Sequence, residues 1–193
     1  MAEKTPNATS SGQPPLADLH RLVWTALMAA LIGAGAYLIV PVGPVPVSMQ
    51  PFFIFLAGYL LGPRHAFLAM ALYLLAGIIG LPVFAGGKSG LGYAFGPTGG
   101  YLLGFLGTAL ICGLARTRDG ELPWLRGVCA GLAGVGFVYL TGAVWLKMVL
   151  NLTWTKAVAL GVIPFIPWDI LKVVVALACA RHMVRLRLTP GRR

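Results

Sequence analysis

The feature that most constrains this chain is a series of apolar runs separated by proline and glycine, with very little charge. The runs cover residues 20–40, 51–61, 64–80, 98–115, 122–147 and 164–186. A hydrocarbon layer about 30 Å thick takes roughly 20 apolar residues in helical form. Backbone groups left unpaired in lipid restrict spanning structures to helices and closed barrels. The runs lack strict apolar–polar alternation, so helices remain. Only 10% of the residues are charged and 58% are apolar, whereas a soluble domain carries about a quarter charged residues. That apolar richness also excludes disorder. The expectation is an all-α integral membrane protein with six transmembrane helices. Residues 20–187 form its membrane domain, 1–19 a disordered cytoplasmic tail without signal-peptide character, and 188–193 a basic cytoplasmic tail. The 51–61 run is short for a span, and 151–162 is apolar enough only to lie at the surface.

The formal charge of +10 points either to an anionic partner or to membrane topology. With both termini cytoplasmic, Lys4, Arg21, Arg64, Arg116, Arg118, Arg126, Arg181, Arg185, Arg187, Arg192 and Arg193 all fall on the inner side. Lys88, Lys147 and Lys156 fall outside, and Lys172 lies within a span. This is the positive-inside asymmetry. Topology therefore accounts for the charge, and no nucleic-acid partner is expected. The C-terminal arginines can still meet anionic lipid headgroups.

Position singles out one acid. Glu3, Asp18, Asp119 and Glu121 lie in cytoplasmic segments, and Asp169 lies near the outer end of the sixth helix. Lys172 follows at i+3, on the same helical face. Ionisable groups inside a span are costly and usually face the bundle interior or a wet cavity. The pair therefore marks a ligand site or, more plainly, a self-satisfied packing pair. Trp168 beside it suits either a stacked ligand or an interfacial anchor.

Three further stretches stand out. Residues 81–101 hold seven glycines with Phe84, Tyr93, Phe95 and Tyr101. Such a mixture suits close approach to a compact, partly apolar ligand, or an ordinary turn-rich loop. Its Gly87-Lys88-Ser89 is no phosphate loop, because Pro82 stands where that pattern needs glycine. Thr98 fits an N-cap. The uncharged 41–50 linker carries three prolines, Ser48 and Gln50, and reads as a pocket wall or a rigid hairpin. On the first helix Ala26, Ala30 and Ala34 repeat at i+4, a stripe that lets helices approach closely in lipid. Gly58/Gly62, Gly100/Gly104 and Gly127/Gly131 share that spacing and read as internal packing.

No Cys/His set has metal-ligand spacing, so no metal is expected. Cys112, Cys129 and Cys179 lie in apolar runs without a CxxC and read as small hydrophobes. No Ser-His-Asp set falls on one side of the membrane. The chain reads as a binder or permeation path and not as an enzyme.

Pro44-Val-Pro-Val-Ser-Met-Gln50, Gly80-Leu-Pro-Val-Phe84, Gly96-Pro-Thr-Gly-Gly-Tyr101 and Pro167-Trp-Asp-Ile-Leu-Lys172 closely resemble the BioY family. Its members are the biotin-specific S components of energy-coupling factor (ECF) transporters. The resemblance covers residues 22–184, with Ser48 where the family more usually has Thr. It implies an S-component fold with irregular ligand-binding external loops in the bacterial cytoplasmic membrane. It further implies high-affinity biotin binding and uptake, with a transmembrane coupling protein and two cytoplasmic ATPase subunits as partners. ATP is then hydrolysed by those ATPases, and this chain needs no cofactor. Ala26 and Ala30 map to the contact with the coupling protein.

Biotin offers two ureido N–H donors, one ureido carbonyl, a thioether ring and a carboxylate. Combined with the resemblance, Asp169 is expected to accept a ureido N–H and Lys172 to donate to a biotin oxygen. Gln50 and Asn151 complete the polar set, Phe84, Tyr93 and Trp168 enclose the rings, and Lys88 is the candidate for the carboxylate. Two alternatives stand beside this reading. One is an S component or secondary transporter for another vitamin or small organic acid. The other is a structural membrane protein without a ligand.

Overall fold

A computed structural model describes residues 15–41, 44–117, 120–186 and 188 of the chain. The expected tails at 1–14 and, apart from Leu188, 187–193 lie outside the described residues. So do Glu3, Lys4, Arg118, Asp119, Arg187, Arg192 and Arg193.

The elements in order are α1 (Pro15–Gly35), β1 (Ile39–Val40), β2 (Val47–Ser48), α2 (Gln50–Ile78), α3 (Leu91–Ala94), α4 (Gly99–Gly113), α5 (Trp124–Leu150), α6 (Trp154–Gly161) and α7 (Ile166–Arg185). Helix α1 starts at Pro15, so residues 15–19 continue the first helix and are not tail. Proline suits a first helical turn, where its missing N–H is no loss.

Helix α2 is a hairpin. Gly62 inside it has φ 76° and ψ 175°, followed by Pro63. Residues 50 and 73 would stand about 35 Å apart on a straight helix, yet Gln50 Nε2 donates to Tyr73 Oη at 2.6 Å. The chain therefore folds back at Gly62 into two rods, 50–61 and 63–78. With α1, α4, α5 and α7 they make six apolar rods. By length and composition α5 reaches the size of a membrane span, as do α6 and α7 together across a 46° bend, whereas α2 reaches it only with its two arms counted as one helix. Gly62 packs internally as expected, buried, with its carbonyl carbon 2.6 Å from where a Cβ on Gly113 would stand. It is a turn glycine, and a Cβ there would meet nothing within 4 Å.

The α2 hairpin is central, touching α1, α4 and α7, while α5 touches α4, α6 and α7. Glycines let these rods approach closely. A Cβ on Gly58 would lie 2.5 Å from Cys112, one on Gly100 2.2 Å from Trp145, and one on Gly127 2.3 Å from Leu177. Buried hydroxyls tie the rods to one another's carbonyls. Tyr59 donates to Gly127 O at 2.8 Å, Thr108 to Gly134 O at 3.0 Å, and Tyr101 to Gly161 O at 2.7 Å. Such bonds between helices in lipid contribute about 0.6 kcal/mol each.

The two ends of the bundle differ in charge. Arg21, Arg64, Arg116, Arg126, Arg181 and Arg185 sit at one end. Lys88, Lys147 and Lys156 sit at the other, among the connections 36–49, 79–98 and 151–165.

Candidate functional site

The connections at the lysine end close over a cavity of about 530 Å³, counting its open mouth. Its wall combines Val45, Pro46, Ser48, Gln50, Tyr93, Thr98, Tyr101 and Phe105 with Val138, Tyr139, Phe165, Asp169 and Lys172.

Asp169 and Lys172 lie in the first two turns of α7, one helical turn apart. The carboxylate sits near the helix N-terminus, where the backbone dipoles favour negative charge. Lys172 Nζ donates to Asp169 Oδ1 at 2.9 Å, and Tyr139 Oη, from α5, donates to Asp169 Oδ2 at 2.9 Å. Both charged residues are buried, with 6% and 7% of their surface exposed. Each carboxylate oxygen keeps acceptor capacity, and two of the three ammonium protons are not used by Asp169. The pair therefore offers an acceptor and a donor side by side.

Facing it is a neutral set. Antiparallel pairing of β1 with β2 holds the segment that carries Val45 and Pro46 into the cavity wall. The 41–50 linker is thus both a hairpin and a pocket wall. Ser48 Oγ donates to Gln50 Oε1 at 3.3 Å, and the Gln50–Tyr73 bond anchors the amide on the other arm of α2. Gln50 is 3% exposed, so its polarity is satisfied by design of this network.

The glycine-rich connection supplies the aromatic side. Phe84 pairs with Lys88 in an antiparallel bridge across Gly86 and Gly87, both at positive φ. Phe84 is fully buried and lies against Gly77, where a Cβ would stand 2.2 Å from the ring. Tyr93 stacks on Phe84 at 5.2 Å between centroids and 22° between planes, and presents its ring to the cavity. Burial raises the Tyr93 phenol above its ordinary value near 10, so it is a neutral donor at pH 7. Trp145 Nε1 donates to Gly96 O at 2.9 Å and pins the run into α4. Thr98 opens α4 without a side-chain capping bond. Its hydroxyl oxygen is buried in the cavity wall with no hydrogen-bond partner among the described residues.

The structure brings Asp169, Lys172, Gln50 and Tyr93 together. Phe84 supports Tyr93 from behind and does not line the cavity. Three of the other expected side chains do not line the cavity. Trp168 is 55% exposed and points away, because the residue next to an inward Asp169 is turned about 100° round the helix. Asn151 is exposed and ends α5 in the left-handed conformation, φ 50°. Its role is a C-cap, where Asn is tolerated. Lys88 is exposed and lies over the Tyr93 ring at 5.6 Å, outside the cavity wall. Tyr139 and Tyr73 carry polar contacts that sequence reasoning missed. The available signal was a phenol in the middle of an apolar run. Among the described residues no group of three His, Cys, Asp or Glu is placed to hold a metal ion.

A bundle of six apolar rods, closed at one end over a cavity that pairs a buried ion pair with aromatic walls, is built as a membrane binding protein for a small organic solute. The fold matches the S-component class. The crystal structure at 2.1 Å of the S component for biotin from an ECF-type ABC transporter superposes with a TM-score of 0.83 at 31% identity. That match covers 93% of this chain and 97% of that one. The BioY family model matches residues 6–188, and the chain belongs to the BioY family. The biotin transporter BioY of Thermotoga maritima is 38% identical over 170 residues, 88% of this chain and 99% of its own length. The probable biotin transporter BioY of Pyrococcus horikoshii is 40% identical over 158 residues, covering 82% and 92%.

Proposed function

We propose that this chain captures biotin in the cavity beneath the connections and serves as the substrate-binding component of an ECF-type uptake system. The observation that carries the reading is the buried Asp169–Lys172 pair opening on that cavity in a BioY-family chain. The ureido group is a cyclic array of two donors and one acceptor. Asp169 accepts an N–H and Lys172 donates to the carbonyl, and charge-assisted bonds are roughly twice as strong as neutral ones. The thioether ring lies against Tyr93, Tyr101 and Phe105. Gln50 and the Thr98 hydroxyl are placed for the remaining polar atoms, and Lys88 at the rim attracts the carboxylate.

Topology follows from charge. Among the described residues, six basic side chains at the arginine end against three at the other support a cytoplasmic location for the arginines and both termini in a bacterial cell. The cavity then faces outward. Ala26, Ala30 and Ala34 are exposed on α1, which supports docking of a transmembrane coupling protein there. Two cytoplasmic ATPases would supply the energy, and nothing in this reading asks for catalysis by this chain.

Membranes carrying this chain alone test the proposal with labelled biotin. Sub-micromolar retention, displaced by biotin and not by thiamine, riboflavin or pantothenate, is the expected result. Displacement by another vitamin, or no retention, overturns it.

A further inference from the structure

The arginine end holds a second cavity, of about 720 Å³ counting its mouth, with a mainly polar lining. Arg21 enters it from α1, Gly62, Arg64 and His65 from the α2 turn, and Arg116 and Thr117 from the end of α4. No Asp or Glu among the described residues lines it. Asp18, one turn before Arg21, forms no ion pair among the described residues. Arg116 is committed to the protein. Its Nε donates to Gly120 O at 3.2 Å and an Nη donates to Leu60 O, so it fixes the floor. Arg21 and Arg64 are the cations that reach the cavity from two different rods.

Apolar surface flanks this charge. Leu22 and Val23 on α1, Leu68 on the second arm of α2 and Leu114 after α4 are half or more exposed. Guanidinium groups lining a cavity between rods, Arg21 half-buried and Arg64 exposed, bordered by exposed aliphatic side chains, match an anionic headgroup with its acyl chains alongside. Arginine is the side chain suited to phosphate geometry.

We propose that this cavity binds a phosphate group through Arg21 and Arg64, supplied by an anionic phospholipid of the surrounding leaflet. The site lies at the other end of the bundle from the biotin cavity, and its occupancy does not depend on that reading.

Native mass spectrometry of the full chain in detergent, titrated with phosphatidylglycerol, tests it. Arg21→Gln with Arg64→Gln should weaken the phosphatidylglycerol adduct about 30-fold, roughly fivefold per arginine. Arg126→Gln, an exposed arginine of the same end outside the cavity, should leave the adduct unchanged. The pair Arg21→Lys with Arg64→Lys keeps the charge but loses the planar fork, and should bind between the parent and the glutamine pair. Unchanged circular dichroism and melting temperature in lipid-free detergent certify the fold of each variant. Loss of the adduct on addition of inorganic phosphate makes free phosphate a competent source, and its persistence assigns the site to lipid; both support it. An equal loss with Arg126→Gln, or none with the double variant, reduces the effect to a diffuse surface field and overturns the proposal. Normal lipid binding with failed assembly onto a coupling protein makes the cavity a protein contact and overturns it too.

Discussion

The ion pair gives the sharpest test, because a packing pair and a ligand site respond differently when both charges are removed. Asp169→Asn leaves the Lys172 ammonium buried beside an amide. Both side chains are under a tenth exposed, so screening by water is slight. Breaking a buried pair from one side costs about 3–5 kcal/mol, and loss of a desolvated charged contact to ligand costs about 2–5 kcal/mol. The single variant should therefore melt lower and bind biotin at least about 30-fold more weakly. Lys172→Met should do the same from the other side, with Tyr139 still bonded to the carboxylate. The double variant, Asp169→Asn with Lys172→Met, removes both charges. Removing both charges relieves the cost of a lone buried charge, while the amide at position 169 keeps only its bond from Tyr139, so the melting temperature should recover most of the way to that of the parent. Biotin binding should stay lost. Melting in detergent and labelled-biotin titration of all four proteins complete the cycle. Recovery of binding along with stability in the double variant would show that the pair only packs the helix, and the argument for the site would fail.

Three further outcomes follow from local geometry. Gly77→Ala drives a Cβ to 2.2 Å from the Phe84 ring; overpacking of this kind costs about 1–3 kcal/mol, read as a lower melting temperature that Phe84→Leu partly restores. Gly62→Ala meets no atom within 4 Å but imposes a φ of 76° and ψ of 175° on a residue with a Cβ; the cost should be about 1–3 kcal/mol, and an unaltered melting curve would remove the hairpin turn from that position. Thr98→Val deletes a buried hydroxyl with no partner among the described residues; stability without ligand should hold or rise, while biotin affinity falls by about 1 kcal/mol in the same titration.

Much of the fold was legible because lipid leaves few options. A Gly62-Pro63 break between two apolar runs became the hairpin turn. Asp169 and Lys172 were legible as a pair because i+3 spacing on a helix is local, and an unpaired charge in an apolar run is too costly to persist. What failed was orientation and long-range contact. Trp168 was grouped with Asp169 by adjacency, although neighbours on a helix face different ways. Asn151 looked like a ligand group by its polarity, but serves the end of α5. Lys88 was placed in the pocket because its loop is, while the Gly86-Gly87 turn carries it to the rim. Tyr139 meets Asp169 from thirty residues away, and only packing of α5 against α7 decides that. The start of α1 was missed because a polar first turn beyond the apolar run looks like tail.

Apart from Thr98 and Tyr93, the polar groups at the cavity fall into two sets with different chemistry and different supports. Gln50, Ser48 and Tyr73 form a neutral set on the hairpin and the two arms of α2. Asp169, Lys172 and Tyr139 form a charged set on α7 and α5. Each set is satisfied internally, which keeps buried polar atoms from destabilising the chain when no solute is bound. Neither set alone surrounds a solute, however. A molecule that reaches both must join α2 to α5 and α7 across the cavity, and it stabilises the bundle in proportion to its occupancy. A purely apolar solute would leave the carboxylate and the ammonium facing it without new partners, a loss of about 1–3 kcal/mol or more per group. Discrimination here therefore rests less on the shape of the aromatic wall than on whether the solute carries donors and an acceptor at the Asp169–Lys172 end.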